Sequence, residues 1–479
     1  MQIGYENFGD VRSKKLDFVD KTLFIKEVFD NARVGVSVIT RPRRFGKTFN
    51  LSMLHHFLAV EAYQMKTAGM FDDLKIASVD DGAYMQHQGK YPVIFISFKE
   101  IRGDNYAEAY DKMNGLFSKL FREHSYLKQS SKLMDEEKEF LQRILVKQAK
   151  QSELEEALSF LTELLFKHHG VKPWLLIDEY DTPIQSGYLG GYYQEIVELM
   201  RGIFGVALKT NPYLNRAVIT GVLRIAKESL FSGLNNIKVY SLLHPIYSKH
   251  FGFTEEEVSE LLAQARLADK EAEVRTWYNG YVFGNTTVYN PWSIVNYLSD
   301  QVFKLYWVNT SDNQLIKEQL IHSSDEFKEQ FNWLLQDQPV EKSVNEEMVY
   351  GDLKNNSNAV WSLLLMSGYV KAIATTIEMG EIICTCAIPN LEVKILYRHI
   401  IKEWLAAVVG MDKILYEDAK KEFSLSSRTG FGADGNRDIQ KLDFEQVRGA
   451  FEKNAFVEAV LVHIEEKTKL GEEMIRKLN

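Results

Sequence analysis

Only two of the 479 residues are cysteine, Cys384 and Cys386. No further Cys or His ligand stands near them, so a zinc site is not indicated. The expected state is two reduced thiols in a cytosolic protein. On a strand, the pair is expected to face opposite ways. Long hydrophobic runs are also missing, and none reaches the length of a membrane span. The opening Met-Gln-Ile-Gly-Tyr lacks a basic stretch followed by an apolar run, so no signal peptide is evident. These absences lead to the expectation of a soluble, cytoplasmic protein with no membrane contact. An excess of positive charge is absent too: 57 Lys and Arg against 66 Asp and Glu leave a formal net charge of −9. That balance gives no global attraction to nucleic acid, although a local basic groove is compatible with it. No internal repeat or low-complexity tract stands out.

What remains is an ordinary globular composition, 45% hydrophobic and 26% charged, in a chain long enough for two or three domains. Apolar strand signals occur at Val34–Ile39, Tyr91–Phe98, Trp174–Ile177, Ala217–Leu223 and Ile237–Leu243. Helical patterns separate them, at residues 105–170 and 191–209 among others. Alternating strands and helices predict an α/β fold with a mainly parallel sheet covered on both faces. Beyond about residue 250 the pattern becomes mostly helical, with short strands near Val370–Ile373 and Ile382–Ala387. Thr254-Glu-Glu-Glu-Val258 opens one helix with a Thr cap and an acidic first turn. Ser424–Gly435 reads as a linker or loop. The expected divisions are 1–248, 249–385 and 386–479.

The first strand runs into Arg41-Pro42-Arg43-Arg44-Phe45-Gly46-Lys47-Thr48. A helix follows, with Leu51, Leu54, Phe57 and Leu58 on one face. Strand, loop and helix are the context of a phosphate-binding loop, usually G-x-x-x-x-G-K-[ST]. Here Gly46-Lys47-Thr48 is intact and Arg41 replaces the first glycine. Gly46 lets the backbone approach phosphate, and the amides at the helix start attract the anion. Lys47 would reach the β- and γ-phosphates, and Thr48 would ligate Mg²⁺. Arg41, Arg43 and Arg44 either assist phosphate binding or are simply solvated.

The third strand ends in Asp178-Glu179. A buried parallel strand delivers its C-terminal residues to the ligand crevice. Asp178 would hold Mg²⁺ directly or through water, and Glu179 would polarise the attacking water. Either residue taken alone is equally an acidic loop after a core strand; together with Gly46-Lys47-Thr48 they favour a nucleoside triphosphate site. Arg224, beyond the fourth strand, is a candidate γ-phosphate sensor, or a structural Arg paired to a carboxylate. Gly430–Gly435 fits G-x-G-x-x-G without the flanking strand and helix, so it is expected to be a loop. His55-His56 and His168-His169 are adjacent pairs on helices, which point apart and do not readily share a metal.

Several longer motifs resemble the bacterial AAA-ATPase-like family. They are Phe18–Thr22, Thr40–Thr48, Leu176–Ile184, Thr220–Ser229, Leu230–Asn236, Trp277–Tyr281 and Tyr289–Ser293, spread over about residues 3 to 405. In that family the loop reads RPRRFGK[ST], so Arg41 is its normal form. The resemblance implies an additional-strand P-loop ATPase core, with ATP and Mg²⁺ as cofactors, followed by a mostly helical lid and C-terminal region. It sets Phe18–Thr22 just before the core, in the region where relatives carry an N-terminal prelude, able to contact the base but more in keeping with packing. Trp277–Tyr281 and Tyr289–Ser293 look like packing and turn elements. Many relatives end in a module related to PD-(D/E)xK nucleases, and Ile388–Val393 resembles the segment leading into it. Beyond that point the match fades. Glu465 and Lys467, with Asp438 or Asp443 upstream, are the residues such a site would use; the alternative is a solvated acidic tail.

Three functions follow as expectations. The first is a Mg-dependent ATPase acting as a molecular switch. The second is a module that holds nucleotide without hydrolysis. The third is a metal-dependent nuclease in the C-terminal region. Family analogy alone raises nucleic acid as a partner. Arg224 would act within its own chain or across a homo-oligomer interface.

Overall fold

The computed structural model describes residues 4–31, 33–224, 230, 236–307, 315–316, 319–320, 323–347, 350–354 and 356–409. The chain divides into two compact units, residues 1–312 with 341–392, and residues 313–340 with 393–479. The first unit is built on five strands: β1 (Val36–Thr40), β2 (Val93–Ser97), β3 (Trp174–Asp178), β4 (Arg216–Gly221) and β5 (Ile237–Tyr240). They are hydrogen-bonded in the order β2-β3-β4-β1-β5, and every pairing is parallel. β4 stands between β1, which feeds the phosphate loop, and β3, which ends in the acids. That is the additional strand the family resemblance implies.

All five residues of β1 and of β3 are buried. Their apolar runs do not alternate because both faces of the sheet are covered. The five sequence-predicted strands are all present, each within a few residues of its expected bounds. A short helix of the prelude, α1 (Phe8–Ser13), precedes the sheet. The connections supply the covering helices, including α2 (Lys47–Leu58), α3 (Tyr106–Glu123), α4 (Gln151–His169) and α5 (Tyr193–Leu208). The last two pack along each other. α4 ends on Gly170 in the left-handed conformation (φ 75°), which glycine adopts without strain.

α2 departs from expectation. Its sequence suggests one apolar face, yet ten of its twelve residues are buried, including His55 and His56. The prelude explains this. Helix α1 lies on the face turned away from the sheet, where the Phe8 amide donates to Ser52 Oγ at 3.0 Å. The approach at Gly9 is so close that a Cβ there would stand 2.4 Å from His56 Nε2. The histidines serve packing: His55 stacks on Phe95, and His56 Nδ1 bonds to the Ser52 carbonyl.

Beyond the sheet, helices α6 (Glu255–Gln264), α7 (Glu271–Tyr278) and α8 (Pro291–Asp300) enclose their own apolar cluster of Val258, Leu262, Val274, Tyr278, Ile294 and Tyr297. α6 starts with the expected Thr254 cap, which forms a full capping box with Glu257. Strands β6 (Tyr281–Phe283) and β7 (Thr286–Val288) form a short hairpin. A longer antiparallel hairpin joins β8 (Lys371–Glu378) and β9 (Glu381–Ala387). Cys384 and Cys386 are both fully buried on β9. They share one face, correcting the expectation of opposite faces, because side chains two residues apart on a strand point the same way.

In the second unit, Phe331 of α9 (Asp325–Leu335) meets Tyr397 edge to face, and Lys394 pairs with Asp337 at 2.5 Å. Among the described residues, no helix is long and apolar enough to cross a membrane. Gly430–Gly435 and Asp438, Asp443, Glu465 and Lys467 lie outside the described residues.

Candidate nucleotide-binding site

The phosphate loop turns sharply at Arg44 (φ 66°) and Gly46 (φ 81°). Gly46 holds the N-cap position of α2, and no side chain caps the helix there. The first amides of α2 are thus left without a side-chain acceptor at the place where an anion would bind. Lys47 extends back along the loop, donating to the carbonyls of Arg41 at 3.1 Å and Pro42 at 3.0 Å. Burial pushes its ammonium pKa down; the carboxylates of Glu179, Asp181 and Asp178 oppose this.

Thr48 and Asp178 meet across 130 residues of sequence, with Oγ1 donating to Oδ2 at 2.8 Å. Thr220, on β4, donates to the other oxygen of Asp178 at 2.7 Å, and Ser97 of β2 stands 3.4 Å from Oδ2. Asp178 is fully buried. Burial and neighbouring Glu179 push its carboxyl pKa up, while the bonds from Thr220 and Thr48 act against them. Glu179 faces the cleft in the left-handed region (φ 52°), a conformation that costs a non-glycine residue about 1–2 kcal/mol. Among the described residues, no group of three or more His, Cys, Asp or Glu is arranged to hold a metal ion. Thr48 and Asp178 nevertheless supply hard oxygen donors, which suit Mg²⁺ when phosphate oxygens complete its shell.

The cleft has a volume of about 310 Å³, and its lining divides by residue chemistry into a polar and an apolar set. Gly46, Lys47, Thr48, Glu179, Lys99 and Arg102 belong to the polar lining. Phe18, Val19, Phe253, Pro291, Trp292 and Val295 belong to the apolar lining. Phe18 and Val19 belong to the prelude, and Trp292 to the motif Tyr289–Ser293. The Arg44 guanidinium lies 4.5 Å from the Trp292 ring centroid.

Residues 2–231 match the family described as Predicted AAA-ATPase. Residues 376–478 match a domain of unknown function, DUF6819. An uncharacterized protein in the vnfD 5′ region of Azotobacter chroococcum mcd 1 is 27% identical over 315 residues, which are 65% of this chain and 54% of that protein. The chain therefore spans about half the length of that curated relative. A Walker-type ATPase of Pyrococcus abyssi aligns with 14% identity and a TM-score of 0.41, over 79% of this chain and 94% of that one.

Within the segment that matches this family model the loop arginines take three different roles. Arg41 neither assists phosphate with its side chain nor meets solvent, which corrects both expectations for it. It is fully buried, between the rings of Phe251 and Phe283 at 5.4 and 5.2 Å. Its guanidinium donates to the carbonyls of Thr40 at 2.7 Å, Tyr240 at 2.9 Å and Ile246 at 3.4 Å. Burial pushes its pKa down to about 9, so it stays charged at neutral pH. Arg41 thereby ties the ends of β1 and β5 together where other phosphate loops have glycine. Arg43 donates to Gln185 at 2.7 Å, and Arg44 is the exposed one.

The loop is gripped from later in the chain. Phe45 packs on Tyr281 and Phe283, and Trp307 Nε1 donates to the Arg43 carbonyl at 3.0 Å. Pro42 lies against Gly368, where a Cβ would come within 3.0 Å of the proline ring.

Arg224 pairs with Glu347 at 2.5 Å, and it is not among the residues that line the cleft. The arrangement fits the alternative weighed for it, a structural arginine on a carboxylate. Sequence reasoning missed Asp181 and Tyr180. Asp181 accepts the amides of Val222 at 2.9 Å and Leu223 at 3.0 Å. The Tyr180 hydroxyl donates to the Leu223 carbonyl at 2.6 Å. Together they fix the exit of β4 beside β3. Their one signal was position, immediately after Asp178-Glu179.

Proposed function

We propose that this protein binds ATP with Mg²⁺ and hydrolyses it, and that closure of the helical region over the cleft makes the cycle a molecular switch. The contact between Thr48 Oγ1 and Asp178 Oδ2 carries this reading, because it joins the phosphate loop to the acidic strand end with Glu179 beside it. When bound, Mg²⁺ would draw charge from the β- and γ-phosphate oxygens. Thr48 and Asp178 would hold it. Lys47 would exchange its loop carbonyls for phosphate oxygens. Glu179 would take a proton from water as the water oxygen bonds to the γ-phosphorus. The bridging P–O bond breaks, leaving ADP and inorganic phosphate.

The apolar lining would take the base. Residues 249–385 are proposed as the lid and 386–479 as a separate C-terminal region. A nucleic-acid partner rests on family analogy alone. The nuclease reading rests on residues outside the described ones.

The test is phosphate release from ATP with and without Mg²⁺, in the wild type and in Glu179→Gln. A removed general base lowers turnover by about 10²–10⁴-fold while ATP binding persists. ATP binding by the wild type without any phosphate release would select the non-hydrolysing alternative.

A further inference from the structure

Glu6 joins the polar lining of the cleft from the prelude, and the mechanism above makes no use of it. The Lys99 ammonium lies 2.9 Å from both of its carboxylate oxygens. Arg44 Nη1 lies 3.7 Å from one of them. All three residues line the cleft. Lys99 follows β2, two residues beyond the Ser97 that stands next to Asp178. Arg44 comes from the phosphate loop. Two cations from segments far apart in sequence thus converge on one carboxylate, beside the residues read as metal and phosphate ligands. Arg102, close by, has no carboxylate partner among the described residues.

A carboxylate offers Lys and Arg the same thing as a phosphate: anionic oxygens that accept charge-assisted hydrogen bonds. We propose that Glu6 is a displaceable stand-in for nucleotide phosphate, and that Lys99 and Arg44 are the cations the terminal phosphate takes over from it. This rests on the ATP reading above. The geometry selects the terminal phosphate. Gly46 and Lys47 hold the loop side of the chain of phosphates, so its far end points toward the exits of β3 and β2, where Glu179 and Lys99 lie. The contact is also weak enough to exchange. The side chains of Lys99 and Glu6 are 41% and 45% exposed, and exposed ion pairs hold loosely. A triphosphate brings more charge to the same cations than one carboxylate does. Glu6 therefore competes with ATP and lowers its apparent affinity.

The experiment titrates the full chain with ATP·Mg and separately with ADP·Mg by calorimetry, in the wild type, Glu6→Gln, Lys99→Ala and the double variant. Glu6→Gln is expected to tighten ATP by about two- to fivefold and ADP by less. Lys99→Ala is expected to weaken ATP, and the gain from Glu6→Gln is expected to disappear in the double variant. Unchanged or weaker ATP binding in Glu6→Gln overturns the proposal, as does a full gain retained without Lys99. Glu6→Ala, which leaves no side-chain polar group at the position, must follow Glu6→Gln. A wild type that binds neither nucleotide overturns the ATP reading and the Glu6 stand-in with it. One that binds both, with affinities unchanged in Glu6→Gln, overturns the stand-in alone.

Discussion

The polar and the apolar lining of the cleft are made in different ways. The polar lining and its support come from strand exits and the loop beside them: Gly46-Lys47-Thr48 after β1, Asp178-Glu179 after β3, Thr220 within β4 and Ser97 closing β2. A parallel sheet brings such exits to one edge whatever else the chain does. The apolar lining is assembled from Phe18-Val19, Phe253 and Pro291–Val295, segments that no single element of the sheet connects. The polar lining is a consequence of topology, and the apolar lining is a consequence of packing. Each should therefore fail separately.

The sharpest break is expected at the base of the polar lining. Arg41→Met would leave the Thr40 and Tyr240 carbonyls without their donor, costing about 2–4 kcal/mol of unfolding free energy. Urea denaturation reads this directly, and an unchanged midpoint would show that the guanidinium is dispensable to the fold. Lys47→Ala is expected to weaken ATP·Mg by about 10- to 100-fold, the value of charged hydrogen bonds to phosphate. Inorganic tripolyphosphate should weaken in parallel, because the lysine sees only phosphate.

In the apolar lining, Phe18→Ala is expected to weaken ATP about three- to tenfold, the scale of one aromatic contact. Tripolyphosphate binding should stay as in the wild type. Equal losses for both ligands would mean that the two linings are not separate.

The smallest effect concerns pH. The folded pKa of Asp178 lies above its ordinary value. Its contribution to the stability of the ligand-free protein is therefore present at low pH and lost as pH rises through that raised value. Mg²⁺ needs the ionised form, so nucleotide affinity runs the other way and falls as pH drops through the same window. Asp178→Asn should flatten this component of the stability profile and remove Mg-dependent ATP stabilisation. A slope identical to the wild type would assign the effect to another group; Asp181, also raised by burial, is the first to examine.

Much of the polar site is legible in the amino-acid sequence alone. Glycine before Lys-Thr, and two acids after an apolar run, are local signals with a local cause: the backbone must approach phosphate, and a buried strand must end where its carboxylates are needed. The arginines are not legible in the same way. Arg41, Arg43 and Arg44 are near neighbours of one residue type, yet one is buried under two phenylalanines, one pairs with Gln185 and one is exposed over Trp292. Their fates depend on Phe251, Phe283, Gln185 and Trp292, which arrive from distant parts of the chain. Helix α2 behaves likewise. Its hydrophobic pattern identifies the face toward the sheet, but α1 buries the opposite face, and Ser52 and His56 are buried with it.

By itself, the sequence determined the five strands, their parallel α/β setting, the loop that would meet phosphate and the pair of acids that would serve metal and water. These depend on residue periodicity and on neighbours within a few positions. The tertiary structure alone decided which cation is buried and which faces the cleft, that Arg224 is bound to Glu347, that Asp181 and Tyr180 clamp β4, and that Glu6 sits between Lys99 and Arg44. A charged side chain takes its role from the partners and the burial that folding supplies, and residues far away in the sequence provide both.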